Sequence, residues 1–271
     1  MLFDSHTHIN NETYNARQRE ELIRAIEDSH LSYVMDIGFD LESSYEAYKH
    51  ASEHSWCYAA AGFHPHYADK IAEEDMVLLK GLAGKPKVQA IGEIGLDYYR
   101  NLSDPEIQRY WFRRQLQLAL ELSMPVVIHD REANNDVMKI LKEEGVFGKS
   151  RTDQFPRQKD GLPDARLLMH CYSGSPEMAK QYIKLGATIS IAGPVTYKNA
   201  RKLIDVVFDT PIEHLLVETD APYLTPEPFR GRPNQAPYVE YTVRKIAEIK
   251  GISYEETARI TLENAKRFFN I

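Results

Sequence analysis

Val88-Gln89-Ala90-Ile91-Gly92-Glu93, then a helical stretch from about Pro105 to Leu122, then Pro125-Val126-Val127-Ile128-His129: the reading of this passage decides the fold. Both short runs are continuously apolar and do not alternate with polar residues, as expected of strands covered on two faces. The stretch between them is long and amphipathic, which suits a helix laid across such a sheet. Strand, helix, strand is the unit of a parallel sheet. Each run also ends in a residue foreign to an apolar strand, Glu93 in the first and His129 in the second.

The same unit recurs in both directions. Upstream, strands are expected over residues 2–8, 31–38 and 57–62, with helices near 16–29, 41–54 and 73–82. Downstream, a helix near 134–144 precedes strands over 166–170, 187–192 and 214–218, with helices near 176–185 and 200–207, and a final pair near 238–250 and 254–269. Eight strands, each followed by a helix, predict a (β/α)8 TIM barrel occupying residues 1–271 as a single domain. An open doubly wound sheet fits less well, because no glycine-rich phosphate loop follows the first strand. Residues 145–164, rich in Gly, Pro and charge, break the even spacing and are expected as an irregular insertion on the N-terminal side of the barrel.

Composition narrows the class. A hydrophobic content of 43% with 27% charged residues describes a soluble globular chain. No apolar run is long enough to span a bilayer and the start lacks a signal segment, so a cytoplasmic location without membrane association is expected. Two cysteines, Cys57 and Cys171, both in apolar strand-like runs, point to buried free thiols. The net charge of −7 argues against broad adhesion to nucleic acid through a basic surface, but not against a nucleic-acid substrate in a locally cationic cleft.

In Asp4-Ser5-His6-Thr7-His8 the two imidazoles, at i and i+2 of an extended strand, project together and form half of a metal site. Further ligands would have to come from elsewhere, and the other strand ends supply candidates: Gly62-Phe63-His64-Pro65-His66, Gly92-Glu93-Ile94-Gly95-Leu96-Asp97, His129-Asp130-Arg131, His170-Cys171-Tyr172-Ser173 and Glu218-Thr219-Asp220. In a closed barrel these C-terminal strand ends converge on one mouth, where barrel enzymes carry their active sites.

With those stretches, and with Ile128-His129-Asp130-Arg131-Glu132-Ala133 and Glu218-Thr219-Asp220-Ala221-Pro222-Tyr223-Leu224, the sequence resembles the TatD-type metal-dependent deoxyribonucleases of the amidohydrolase-like superfamily over nearly its whole length. The resemblance implies two divalent ions, Mg, Mn or Zn: one held by His6, His8 and Asp220, the other by His129 and His170, with Glu93 bridging both. It also implies a DNA substrate, single strands or ends, trimmed 3′ to 5′, with no protein partner required. Where related barrels use a modified lysine, this chain has Glu93. Asp220 is the expected proton acceptor, and Glu218 an acid/base or water-orienting group with metal ligation open.

For the substrate, His64 is expected to meet a phosphate, against a structural turn around Pro65; Arg131 suits either a phosphate or a neighbouring carboxylate. Ser173 and Tyr223 are further candidates, although Tyr223, like Tyr98, Tyr99 and Tyr172, also reads as rim packing. Asp97 is expected to orient a ligand histidine or cap the next helix, and Arg230-Gly231-Arg232 to form a positive lip. His30, His50, His54 and His214 fall outside the pattern and are expected at the surface or at helix ends. Tyr238, Val239 and Val243 read as the barrel-facing stripe of their helix. A dinuclear enzyme cleaving a small amide, lactone or phosphoester, and a non-enzymatic metal-binding scaffold, are the competing functions; fold alone does not choose between them.

Overall fold

The computed structural model describes residues 1–271. Strands β1 (Leu2–Thr7), β2 (Leu31–Ile37), β3 (Cys57–Ala61), β4 (Val88–Asp97), β5 (Val126–Arg131), β6 (Leu167–Met169), β7 (Thr188–Ile191) and β8 (Leu215–Val217) form one sheet in chain order, every neighbouring pair parallel. The sheet closes just beyond β8, where Thr7 bridges Ala221, the Asp220 N–H donates to the His6 carbonyl and the His8 N–H donates to the Ala221 carbonyl. The expected TIM barrel is therefore the observed fold.

Ten helices cover it: α1 (Ala16–Glu27), α2 (Leu41–Glu53), α3 (Glu73–Ala83), α4 (Pro105–Glu121), α5 (Asn134–Glu143), α6 (Lys149–Thr152), α7 (Pro176–Lys184), α8 (Arg201–Asp209), α9 (Val239–Lys250) and α10 (Tyr254–Phe269). Half of their starts are capped by polar side chains. Asn15 and Gln18 satisfy each other's backbone N–H at α1, and Asp104, Ser175 and Ser253 cap α4, α7 and α10. Each such cap contributes about 1 kcal/mol.

The core has two layers. Outward-facing strand residues such as Val34, Ile91, Ile128 and Val217 pack under the helices, while Phe3, Met35, Ile37, Ala60, Ala90, Val127, Leu168 and Leu216 fill the barrel interior. Phe268 and Phe269 of α10 plug its N-terminal end, with the Phe269 ring centroid 5.8 Å from that of Phe3. The plug is fastened by Arg166, which donates to the carbonyls of Arg267 and Phe268.

Residues 145–164 lie on the N-terminal side, as expected, but they are more ordered than an irregular insertion. They contain α6, and the buried Arg151 donates to the carbonyls of Met124 and Ala165, just ahead of β5 and β6. Two histidines depart from a surface role. His50 is 4% exposed with Nδ1 2.7 Å from Asp36, and His214 is fully buried with Nε2 2.7 Å from Asp160. Both stand at helix ends, where a carboxylate from another element buries them. Val239 and Val243 do face the core, whereas Tyr238 is half-buried, stacked on Phe229 with ring centroids 4.4 Å apart. Cys57 is buried, but Cys171 falls just past β6 and is half-buried.

Candidate metal centre

The interior layer explains which side chains reach the mouth. On β5, β6 and β8 the parity of the interior residues continues unbroken, so that Val127, Leu168 and Leu216 are followed two residues on by His129, His170 and Glu218, and two beyond Glu218 by Asp220. On β1 and β4 the parity must change. Leu2 packs outward, yet His6 and His8 face inward, and Ala90 faces inward three residues before Glu93. The register shifts between Asp4 and Thr7 on β1 and between Ile91 and Ile94 on β4, irregularities that re-aim side chains at barrel rims. Gly95 makes the second possible: a Cβ there would meet the His129 carbonyl oxygen at 2.0 Å, so β5 can approach β4 beside Glu93 only because that side chain is absent.

Glu93 is the hub. Its Oε2 lies 3.4 Å from His6 Nε2 and 3.9 Å from His8 Nε2, while its Oε1 lies 2.7 Å from His129 Nδ1, 2.6 Å from His170 Nε2 and 3.6 Å from His64 Nε2. One carboxylate oxygen thus faces the β1 pair and the other faces the β5 and β6 histidines. Asp220 stands beside the first set, its Oδ1 3.4 Å from His8 Nε2 and 3.8 Å from His6 Nε2. All six residues expected as ligands converge, and His6 and His170 stack with ring centroids 4.0 Å apart.

Contacts behind these rings set their orientation. His8 Nδ1 donates to the Ile37 carbonyl at 2.8 Å, which leaves the Nε2 lone pair toward the mouth. His129 Nε2 lies 3.2 Å from Asp97 Oδ2, which also receives His66 Nε2 at 2.8 Å, while Asp97 Oδ1 accepts the Arg100 N–H. Asp97 therefore holds a mouth histidine, one of the two roles expected of it, but it does not cap the next helix: it closes the turn after β4, and Asp104 caps α4. Glu218, fully buried, accepts from the Ser190 hydroxyl and lies 3.4 Å from His170 Nδ1.

Burial alone would raise the Glu93 carboxyl, but the charge of His170 and His64 and hydrogen bonds from His129 and His170 hold it well below the usual carboxylate range. Asp220 is likewise held low: burial opposes this, and the hydrogen bond from His8 with the charge of His6 outweighs it. Burial pushes His6 and His64 down, helped by the charge of His170 and of His129 respectively. His170 is driven up against its burial by Glu93 and Glu218.

These residues fit divalent cations. His6 is completely buried, yet neither ring nitrogen makes a hydrogen bond in the protein, Nδ1 facing no acceptor and Nε2 facing Glu93 Oε2 at 3.4 Å. Leaving such groups dry and unpaired costs about 1–3 kcal/mol each, unless an ion uses their lone pairs. Three donor sets lie close enough to hold one: His6, His8 and Glu93; His6, His170 and Glu218; and His64, Glu93 and His129. Imidazole and carboxylate together accept Zn, Mn and Mg.

The remaining expected residues ring the mouth. His64 Nδ1 accepts the His66 N–H, so the neutral ring carries its proton on Nε2, facing Glu93. Arg131 has no carboxylate partner and lies over the Tyr99 ring, 4.7 Å from its centroid. Tyr223 is 54% exposed and accepts from Asn11, and Ser173 is exposed in the loop after β6. Tyr172 is buried and donates to the Ser175 carbonyl, and Tyr98 donates to Asp136, so both are packing residues. Sequence reasoning assigned no role to Asp4 or Ser190. Asp4, fully buried, accepts from the backbone and hydroxyl of Thr219 and so pins β1 to the segment carrying Asp220. An Asp inside an apolar strand, two residues before the first histidine, was the available signal; for Ser190 there was none.

A barrel whose mouth gathers histidines around a shared carboxylate in this way belongs to the class of metal-dependent hydrolases. The TatD related DNase family matches residues 3–270. The chain is 42% identical, over the full length of both proteins, to the uncharacterized metal-dependent hydrolase YabD of Bacillus subtilis. It is 34% identical, over 96% of each, to the 3′-5′ ssDNA/RNA exonuclease TatD of Erwinia tasmaniensis. The crystal structure of the TatD homologue YJJV from Escherichia coli covers 100% of this chain and 98% of its own, with a TM-score of 0.84 at 27% identity. The chain belongs to the TatD related DNase family.

Proposed function

We propose that the protein is a dinuclear phosphodiesterase that shortens single-stranded DNA, or frayed DNA ends, from the 3′ end. The observation that carries the reading is the division of Glu93, one oxygen toward His6 and His8 and the other toward His129 and His170. That is what a carboxylate bridging two cations requires, since it lowers their mutual repulsion. His6, His8 and Asp220 would hold one ion and His129 and His170 the other. Bound there, the ions would supply Lewis-acid polarisation of a phosphate oxygen and a water of lowered pKa. The name of the Erwinia relative supports a single-stranded nucleic-acid substrate.

The chain's own residues then divide the work. Asp220, ionised and at the edge of the mouth, accepts the proton of the attacking water. Glu218 holds the His170 ring from behind and keeps it aimed at Glu93. His64 presents an Nε2–H that can donate to a phosphate oxygen, and Arg131, Ser173 and Tyr223 line the approach. As water bonds to phosphorus, the bond to the 3′ oxygen of the preceding nucleotide breaks, and that oxygen takes up a proton. No helix is long and apolar enough to cross a membrane, and a cytoplasmic site of action suits the substrate.

Purified protein given a 5′-labelled single-stranded oligonucleotide with Mg²⁺, Mn²⁺ or Zn²⁺ is expected to yield a ladder shortening from the 3′ end, and to stop on chelation. The same metals with small amides and lactones form the contrasting panel. Turnover of those compounds with no cleavage of DNA or RNA would overturn the reading.

A further inference from the structure

Three cations stand around the β5 to β8 side of the mouth, none with a carboxylate oxygen within 4.0 Å. Arg131, at the end of β5, lies over the Tyr99 ring. Arg230, in the loop after β8, lies 4.2 Å from the centroid of the Tyr197 ring. Between them the exposed Lys202, at the start of α8, donates to the carbonyl of Ser173 at 2.8 Å. Both arginines are exposed, and each is steadied by the aromatic face beneath it, so its guanidinium surrenders less freedom on taking up an anion.

The Arg230 platform is built. The Tyr197 hydroxyl donates to the Thr225 carbonyl at 3.0 Å, and the Glu227 N–H donates to the Thr196 hydroxyl at 2.9 Å. Gly193 meets the same loop so closely that a Cβ there would fall 2.2 Å from the Leu224 carbonyl oxygen. Cys171, the residue after His170, lies within electrostatic reach of Arg131 and of Tyr197, so both stacked pairs stand near the end of β6. The opposite rim is different. It carries Phe39 stacked on Tyr67 with centroids 5.6 Å apart and the exposed Tyr223, with Glu12 and Asp40 close enough to bear on Tyr67. Lys70 also lies there, 5.3 Å from the centroid of Tyr67, so both rims carry aromatic faces and cations; what sets the β5 to β8 arc apart is that three cations without carboxylate partners follow one another along it.

We propose that Arg131, Lys202 and Arg230 form a track along which consecutive phosphates of a single strand cross the mouth, with the bases turned toward Phe39, Tyr67 and Tyr223. The idea rests on the phosphodiesterase reading above and adds to it that phosphates other than the scissile one set affinity. It reconciles an acidic chain with a polyanionic substrate, since three cations without carboxylate partners gather along one arc of the mouth. Aromatic faces opposite a cationic groove are the general means of holding single strands without regard to sequence.

The test is the salt dependence of KM for a thymidylate dodecamer with Mn²⁺, between about 50 and 200 mM salt, compared with the dinucleotide carrying one phosphodiester. Arg230→Gln and Lys202→Gln are each expected to raise the dodecamer KM several-fold and to flatten the slope of log KM against log salt by about 0.7 for each phosphate no longer neutralised, with a smaller effect on the dinucleotide. Arg230→Lys should keep the slope, and Arg259→Gln, on α10 away from the mouth, should keep both slope and KM. If the wild type cuts the dodecamer and both Gln variants retain its full slope, the track is wrong while the nuclease reading stands. If the wild type cuts no strand at all, both fall together.

Discussion

At the N-terminal end of the barrel, Arg151, Arg166, Asp164 and His214 are as deeply buried as His6, Glu93, His170 and Glu218 are at the other end. The wiring differs. Arg151 and Arg166 spend their donors on carbonyls that finish other elements, both also lie over the Phe155 ring, and His214 meets Asp160. Those contacts join α6, β5, β6 and α10 into a floor. Both ends leave some buried polar atoms without a hydrogen bond, Arg151 Nη1 and His214 Nδ1 in the floor as well as the ring nitrogens of His6. At the mouth, however, the imidazoles and carboxylates point at one another and at a common centre, with His6 and His170 stacked. Buried charge that meets the backbone of other elements ties the fold together and is costly to remove; buried imidazoles and carboxylates converging on one point at the C-terminal face offer a ligand set.

The sharpest way to break this contrast is Glu93→Gln. Removing the shared carboxylate is expected to cost more than about three decades of kcat/KM, since several kcal/mol of charge stabilisation would go with the ions. It should also abolish the rise in Tm that added Mn²⁺ gives the wild type, read by thermal melting. A fully active Glu93→Gln enzyme would show that the hub is structural after all.

Arg166→Leu attacks the floor. It strips two carbonyls of α10 of their donor and leaves Asp164 buried beside an apolar side chain, for a loss of about 3–5 kcal/mol in urea unfolding. Among molecules that remain folded, the Mn²⁺ dependence of activity should be that of the wild type. Asp97→Asn sharpens the comparison from between the two, since it reaches the mouth only through His129 and His66. Metal affinity or activity is expected to fall about 10–100-fold, with little change in Tm.

The smallest effect is in protons. Ligation requires neutral imidazole, whereas in the metal-free protein Glu93 and Glu218 hold His170 well above its ordinary value. Metal uptake near neutral pH should therefore release protons, and affinity should weaken as pH falls. Calorimetry in buffers of different ionisation enthalpy reads the release directly. Uptake without proton release would mean that His170 is already neutral or is not a ligand.

Much of this was legible in the chain itself. The run from Val88 to His129 carried the repeat of the barrel, because an apolar strand covered on both faces and an amphipathic helix are local properties of composition and spacing. His6, Glu93, His129, His170 and Asp220 could be picked out because a polar group at the end of such a strand is costly without a partner. His50 and His214 stand at helix ends as expected, but their burial could not be foreseen, since each is covered by a carboxylate from another element, Asp36 and Asp160. Nor could the phase of β1 and β4 be foreseen. Strict alternation from Leu2 and Ala90 would turn their polar residues away from the interior, and only register shifts against neighbouring strands bring them back. The sequence by itself determined the eightfold repeat and the kinds of ligand atoms available, because both follow from short stretches of chain. Only closure of the barrel set one oxygen of Glu93 toward His6 and His8 and the second toward His129 and His170, because those relations join strands far apart in the chain.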